Sequence, residues 1–263
     1  MKLLCQEHLV PGTSLERKWE LLQVAGYDGI ELHGHGDLAF AARRAELRRA
    51  HAQGVPMPTV CVIMDHFIGD FDEGRRRDAI DQMRSLLSVI AEVGGEGAIT
   101  PASFGMHSNA LPPFRSPRRR EDDRAVLLAG LAELGDHAAR EGVAVYLEPL
   151  NRYEDHMLNR LDQAVDVCRE LGLSSLSVMG DLFHMSIEES DMAAAIRAAA
   201  AYLGHIHLAD SNRMYPGAGH TDFGPIMAAL REIGFAGALA MECATPDPEL
   251  TLPEGARRLH AFS

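Results

Sequence analysis

Residues 144–148 read AVYLE, 176–181 read LSVMGD, 203–207 read LGHIH and 239–242 read LAME. Each is a short apolar run that closes on one residue able to hold a metal: Glu148, Asp181, His207 and Glu242. The steps between these four residues are 33, 26 and 35 positions, about one strand, one helix and two short loops each. If every run is a parallel strand followed by a covering helix, three carboxylates and one imidazole emerge at the same end of neighbouring strands. There they can converge on one cation.

The same rhythm extends through the rest of the chain. Apolar segments near 2–6, 29–32, 58–64, 97–100, 143–148, 176–181, 203–209 and 238–243 alternate with amphipathic stretches, which makes eight strand candidates. The helices between them are legible: Leu15, Trp19 and Leu22 share one face, as do Ile80, Met83, Leu87 and Ile90. Most amphipathic stretches stop at glycine before the next strand (Gly26 and Gly29, Gly54, Gly94 with Gly95 and Gly97, Gly142, Gly172, Gly204, Gly234), the chemistry of a left-handed C-cap. The alanine-rich run at 193–201 reads as a strong helix. Eight βα units in 263 residues, with no linker or low-complexity segment, predict a single (β/α)8 TIM barrel over 1–263. A doubly wound open sheet is the alternative, but the first βα turn carries no GxGxxG.

Composition narrows the function. With 46% hydrophobic and 24% charged residues, the chain is ordinary for a globular protein. No apolar run reaches membrane-spanning length, and the N-terminus lacks the apolar core and cleavage site of a signal peptide, so a cytoplasmic location is expected. Cys5, Cys61, Cys168 and Cys243 form no CxxC pair and read as buried small hydrophobes. A net charge of −13 argues against a nucleic-acid partner. The one basic run, Arg118 to Arg120, follows Ser116-Pro117 and precedes Glu121, Asp122 and Asp123. It reads as an N-cap, a proline at the first helical position and a solvated, mixed-charge helix.

Three carboxylates and one imidazole form a hard, oxygen-rich donor set, suited to Mn²⁺, Mg²⁺ or Co²⁺ rather than to structural zinc. Three close acids with no cation between them would be costly. Such a site suits proton abstraction beside a carbonyl: a Lewis acid holds adjacent sugar oxygens while a carboxylate removes the proton. Glu148 and Glu242, on strands five and eight, are expected to face each other across the barrel mouth as the acid/base pair. Read singly, Asp181 could instead be an N-cap and His207 a core histidine like His205. His207 is preferred over His205 as the ligand because it lies nearer the strand end.

The segments GYDGIEL (26–32), YLEPLNRYE (146–154), GDLFHMSIEE (180–189), GHIHLADSNRMYPGAGHTDF (204–223) and AMEC (241–244) resemble the xylose-isomerase-like TIM-barrel superfamily. The branch they resemble is that of the sugar isomerases and ketose 3-epimerases, which includes D-tagatose and D-psicose 3-epimerase. The resemblance covers strand two and strands five to eight. It implies one divalent metal, Mn²⁺ foremost with Mg²⁺, Co²⁺ or Zn²⁺ as alternatives, held by Glu148, Asp181, His207 and Glu242. It also implies that Glu154, His184 and Arg213 hold substrate hydroxyls and the carbonyl oxygen. The activity it implies is epimerisation or isomerisation of a keto-sugar or related sugar acid through a cis-enediolate.

The first four strands carry no motif of this kind. His8, His33, His35 and His107 could line the mouth or be solvated, and His220 sits in a later loop; His66, at a strand end, is the one expected to contact substrate. The turn Pro216-Gly217-Ala218-Gly219 follows strand seven, where barrels often bind phosphate, but a plain turn leading to an N-cap at Thr221 or Asp222 is preferred. Two alternative enzymes share the ligands. One is an inosose-type dehydratase. The other is an abasic-site endonuclease, which would need further ligands, with His66, His107, His220 and Asp222 as the candidates. The expected partner is a small sugar, with no nucleic acid and no membrane, and with self-association into a homo-oligomer.

Overall fold

The computed structural model describes residues 1–109, 111, 112 and 115–262. Its strands are β1 (Lys2–Gln6), β2 (Gly29–His35), β3 (Thr59–Ile63), β4 (Gly97–Pro101), β5 (Ala144–Glu148), β6 (Leu176–Asp181), β7 (Leu203–Leu208) and β8 (Ala238–Met241). Each pairs in parallel with the next, and β1 pairs with β8 (Leu3 opposite Leu239, Cys5 opposite Met241), so the sheet closes into an eight-stranded barrel. The helices are α1 (Leu15–Ala25), α2 (Ala39–Ala42), α3 (Arg44–Ala52), α4 (Glu73–Glu92), α5 (Arg120–Glu141), α6 (Leu161–Leu171), α7 (Leu182–Glu188), α8 (Met192–Ala199), α9 (Phe223–Glu232) and α10 (Pro248–His260). None of them is long and apolar enough to cross a membrane.

Alternation along each strand sorts side chains into two cores. One alternate set fills the barrel, with a lower group of Leu4, Ala238 and Ala240 and a second of Cys61, Ile99, Tyr146 and Met179. The other set, including Ile30, Val60, Ala98, Val145, Val178 and Ile206, meets the helices in one continuous outer core. Leu15 and Leu22 of α1 and Ile80, Met83, Leu87 and Ile90 of α4 are buried there, with Trp19 packed at its edge. All four cysteines are buried free thiols.

Six of the punctuating glycines (Gly26, Gly54, Gly94, Gly142, Gly172 and Gly234) have positive φ. Gly29, Gly95, Gly97 and Gly204 do not cap helices. At Gly97 a Cβ would fall 2.3 Å from Ala144 O, and at Gly204 one would fall 2.7 Å from the Tyr146 ring. These two glycines let strands and the inner aromatic approach closely.

The basic run differs from expectation. Helix α5 begins at Arg120, after Arg119 as N-cap, so Ser116 and Pro117 lie ahead of the helix rather than at its start. Arg118 is not on a solvated face. It pairs with Asp123, donates to Gly69 O (2.6 Å) and Asp70 O (3.0 Å) and lies over the Phe71 ring at 5.2 Å, tying the β4–α5 connection to the β3–α4 loop.

Candidate metal centre

Glu148 and Asp181 are the last residues of β5 and β6, His207 is one residue from the end of β7, and Glu242 follows β8 directly. Asp181 pairs in register with His207, and the Glu242 N–H donates to Leu208 O, which places all four at the C-terminal mouth of one arc of the barrel. One donor atom from each lies within 4.8 Å of all the others. Around His207 Nδ1 stand Glu242 Oε2 at 3.0 Å, Glu148 Oε1 at 3.7 Å and Asp181 Oδ2 at 3.8 Å. His207 and Asp181 are wholly buried and Glu148 nearly so. Neither ring nitrogen of His207 has a hydrogen-bond partner of good geometry, and Nδ1 is the one that faces these three acids. A buried imidazole nitrogen facing three carboxylates fits a divalent cation. Glu148 and Glu242 both stand at the mouth, on β5 and just after β8. On the closed barrel they stand three strands apart with β6 and β7 between, so they approach the centre from the two flanks of one arc.

The electrostatics follow from burial of like charges beside two cations. Burial pushes Glu148 above the usual carboxylate range, against the pull of His207. Burial would do the same to Glu242, but His207 and Arg213 outweigh it and hold that carboxyl well below its ordinary value. Burial disfavours His207 as a cation, yet the facing Glu242 and Glu31 raise it well above an ordinary imidazole.

Asp181 combines the N-cap position with a face toward the centre. Its Oδ1 accepts from the N–H groups of Phe183 (2.7 Å) and His184 (3.1 Å), capping α7, while Oδ2 faces the centre and Arg213 (2.5 Å). Arg213 spans two of the acids, reaching Glu242 Oε2 at 2.5 Å as well, and its guanidinium lies over Phe183 at 5.0 Å. It holds φ +62, a left-handed conformation that is strained for a residue with a Cβ. His184 Nδ1 faces the backbone and side-chain nitrogens of Asn151 at 3.2 and 2.7 Å. That contact leaves Nε2 as the N–H, 3.9 Å from Glu154.

These groups open on a cavity of about 270 Å³. One wall is polar, with Glu148, Glu154, His184, Arg213 and Glu242; the other is apolar, built by the β3 and β4 ends from residues such as Met64, Phe67 and Phe104. His66 does not join it: its Nε2 lies 2.6 Å from Asp78, turned toward α4. His107 faces His156, His220 contacts Ser211, and Asp222 caps α9 through Gly224 N–H. At the ends of β1 and β2, His8 stacks on His33 with ring centroids 4.2 Å apart, and His35 meets His33 edge-on.

Among the buried carboxylates the sequence reading did not single out, Glu31 and Asp210 lie nearest the site. Glu31 on β2 contacts both His205 and His207 from beneath. Its signal was present, an acid between Ile30 and Leu32 in a strand buried on both faces. Asp210, after β7, is fully buried and accepts from Ser211, Gly217 and Thr221 N–H groups. The backbone donors of the Pro216–Gly219 turn therefore point at this acid, as befits a plain turn, and Asp222 is the N-cap beyond it.

Residues 19–262 match the family described as xylose isomerase-like TIM barrel. The chain is 37% identical to the 3-dehydro-D-guloside 4-epimerase of Escherichia coli (strain K12) over 243 residues, 92% of each chain. A D-psicose 3-epimerase of Enterocloster bolteae is 41% identical over 138 residues, covering 52% of this chain and 46% of that protein. The apo crystal structure of a 3-keto-D-glucoside 4-epimerase from E. coli superposes with a TM-score of 0.92 at 36% identity, over 99% of both chains.

Proposed function

The chain belongs to the xylose isomerase-like TIM barrel family, and from that premise we propose that it is a metal-dependent epimerase acting at the carbon beside the carbonyl of a keto-sugar. The observation that carries this reading is the convergence of Glu148, Asp181, His207 and Glu242 donor atoms within 4.8 Å at the floor of a sugar-sized cavity. These four residues hold the cation, which when bound supplies Lewis acidity at the substrate oxygens. Glu148 and Glu242 also carry protons: one removes hydrogen from the carbon as its bonding electrons pass toward the carbonyl oxygen, and the other returns a proton to the opposite face. Arg213 and the His184 Nε2–H donate to substrate oxygens, and Glu154 accepts from a hydroxyl.

A 3-keto sugar unit inverted at C4 is the preferred substrate, because the 4-epimerase is 37% identical over 92% of this chain, against 30% over 88% for an L-ribulose 3-epimerase of Mesorhizobium japonicum. A free ketose inverted at C3 is the second reading, supported by 41% identity to the psicose enzyme over part of the chain. Mn²⁺ as the ion, self-association and a cytoplasmic location complete the proposal. The extra ligands an abasic-site endonuclease would need do not gather, since His66, His107, His220 and Asp222 each face elsewhere.

The test is solvent exchange. Mn²⁺-loaded protein is incubated in D₂O with 3-keto-glucosides, D-fructose, D-psicose and L-ribulose, and products are read by NMR. Deuterium at the inverted carbon supports the reading, and loss of water from an inosose instead would support the dehydratase. Absence of exchange with every sugar, together with cleavage of abasic DNA, would overturn it.

A further inference from the structure

We propose that Glu31 is a positioning residue of the metal centre, setting the His207 ring from beneath so that Nδ1 and not Nε2 meets the cation. The inference rests on the metal-dependent reading above. Glu31 is fully buried on β2, below the four ligands rather than among them. Its Oε1 accepts from Gln6 Nε2 (3.0 Å) and lies 2.8 Å from His207 Nε2; its Oε2 accepts from Thr59 Oγ1 (2.7 Å) and lies 2.9 Å from His205 Nε2. An ionised carboxylate offers about four lone-pair sites; Gln6 and Thr59 donate to two of them, and the two imidazole Nε2 atoms stand at contact distance over the rest.

That saturation decides between two uses of the cluster. Glu31, His205 and His207 bring donor atoms within 4.8 Å of one another and could be taken for a second metal site. A carboxylate already engaged by Gln6 and Thr59 on one side and two imidazoles on the other has nothing left for an ion. It instead fixes the orientation of what touches it. A neutral imidazole carries one N–H and one lone pair. With the Nε2 side turned to an anion at 2.8 Å, the proton belongs on Nε2 and the lone pair on Nδ1, which is the atom that faces Glu242, Glu148 and Asp181. His205 faces the other oxygen, and its ring packs edge-on against His207 with centroids 5.1 Å apart. Strands β1, β2 and β3, which contribute none of the four ligands, thus contribute their support through Gln6, Glu31 and Thr59.

Metal-ligating histidines held this way lose on the order of 10–100-fold in metal affinity when the supporting carboxylate is changed. The experiment measures Mn²⁺ binding to metal-free protein by calorimetry, for wild type, Glu31→Gln and Thr59→Val, with circular dichroism as the check of folding. ¹⁵N-histidine NMR of the Zn²⁺-loaded protein reports which His207 nitrogen is bound. Glu31→Gln places an N–H₂ where an oxygen stood, and its affinity should fall 10-fold or more. Thr59→Val, which removes one support at nearly constant shape, should lose a few-fold, and the wild-type spectrum should show Nδ1 bound and Nε2 protonated. A folded Glu31→Gln protein binding Mn²⁺ within twofold of wild type would overturn the inference. Nε2 as the bound nitrogen would do the same. If Glu31→Gln does not fold, the Thr59→Val affinity and the wild-type spectrum decide: unchanged affinity in Thr59→Val overturns the proposal. Failure of the underlying reading looks different, since wild type itself would then bind no divalent ion.

Discussion

Replacing Asp210 by asparagine tests how the loop that carries Arg213 is held. Asp210 Oδ1 accepts from Ser211 N–H (2.7 Å) and Thr221 N–H (2.9 Å), and Oδ2 accepts from Gly217 N–H (2.8 Å). Its own backbone N–H donates to Met214 O and its carbonyl accepts from Arg213 N–H, so the side chain organises the turn in which Arg213 takes positive φ. Burial would raise this carboxyl, but the backbone donors of Thr221, Gly219, Ser211 and Gly217 outweigh it and bring it from 3.8 down to about 2. At ~1.4 kcal/mol per pH unit, that difference is worth about 2.5 kcal/mol. A structural count agrees: asparagine keeps one oxygen but turns an N–H₂ toward Gly217 N–H, and an unsatisfied buried donor costs about 1–3 kcal/mol. A loss of about 2.5 kcal/mol in a chain of this size lowers Tm by about 5 °C. Because the folded carboxyl is depressed, its contribution is fully present above pH ~4 and fades as pH falls from there toward 2. The gap between wild type and Asp210→Asn, measured by urea unfolding from pH 7 down to pH 3, should therefore narrow below pH 4. KM for the sugar should rise as the Arg213 loop loosens. A variant melting within 1 °C of wild type, with a gap independent of pH, would refute the reasoning.

Glu148→Gln and Glu242→Gln should each lower kcat by about 10²-fold or more, because each carboxylate carries the proton on one face; steady-state rates in both directions check this, and full activity in either refutes the pair. Chelation should destabilise the protein by about 3 kcal/mol relative to protein held at a hundredfold excess of Mn²⁺ over Kd, read as a drop in Tm that added Mn²⁺ restores. Arg213→Lys keeps a charge but loses the fork that spans Asp181 and Glu242; a fall in kcat/KM of about tenfold or more is expected, and wild-type kinetics would count against that role. Gly204→Ala puts a methyl 2.7 Å from the Tyr146 ring and should cost about 1–3 kcal/mol by urea denaturation.

Much of the architecture was legible because its signals are local. Strand alternation, glycine C-caps such as Gly26 and Gly172, and helical faces such as Ile80 to Ile90 are dictated within a few residues. The four metal-ligating candidates were legible for a related reason: each is a polar residue closing an apolar strand, and parallel βα repetition puts such endings at one mouth. Errors came where a side chain's role depends on distant partners. His66 sits at a strand end as expected, but Asp78 on α4 takes its imidazole. Arg118 looked like part of a solvated run until the Gly69 and Asp70 carbonyls were seen to receive it.

By itself the sequence determined the periodicity, and with it a closed parallel barrel whose last four strands end in Glu148, Asp181, His207 and Glu242. Spacing carries that information because strand and helix lengths are set by backbone geometry. Only the tertiary structure decided the arc on which Glu148 and Glu242 stand, the capping of α7 by the same Asp181 carboxylate that faces the centre, and the place of Glu31 beneath His207. Those depend on barrel closure, which brings β2 and β7 side chains into contact across the interior, 174 and 176 positions apart for the Glu31–His205 and Glu31–His207 pairs. No local pattern in a chain encodes a contact at that separation.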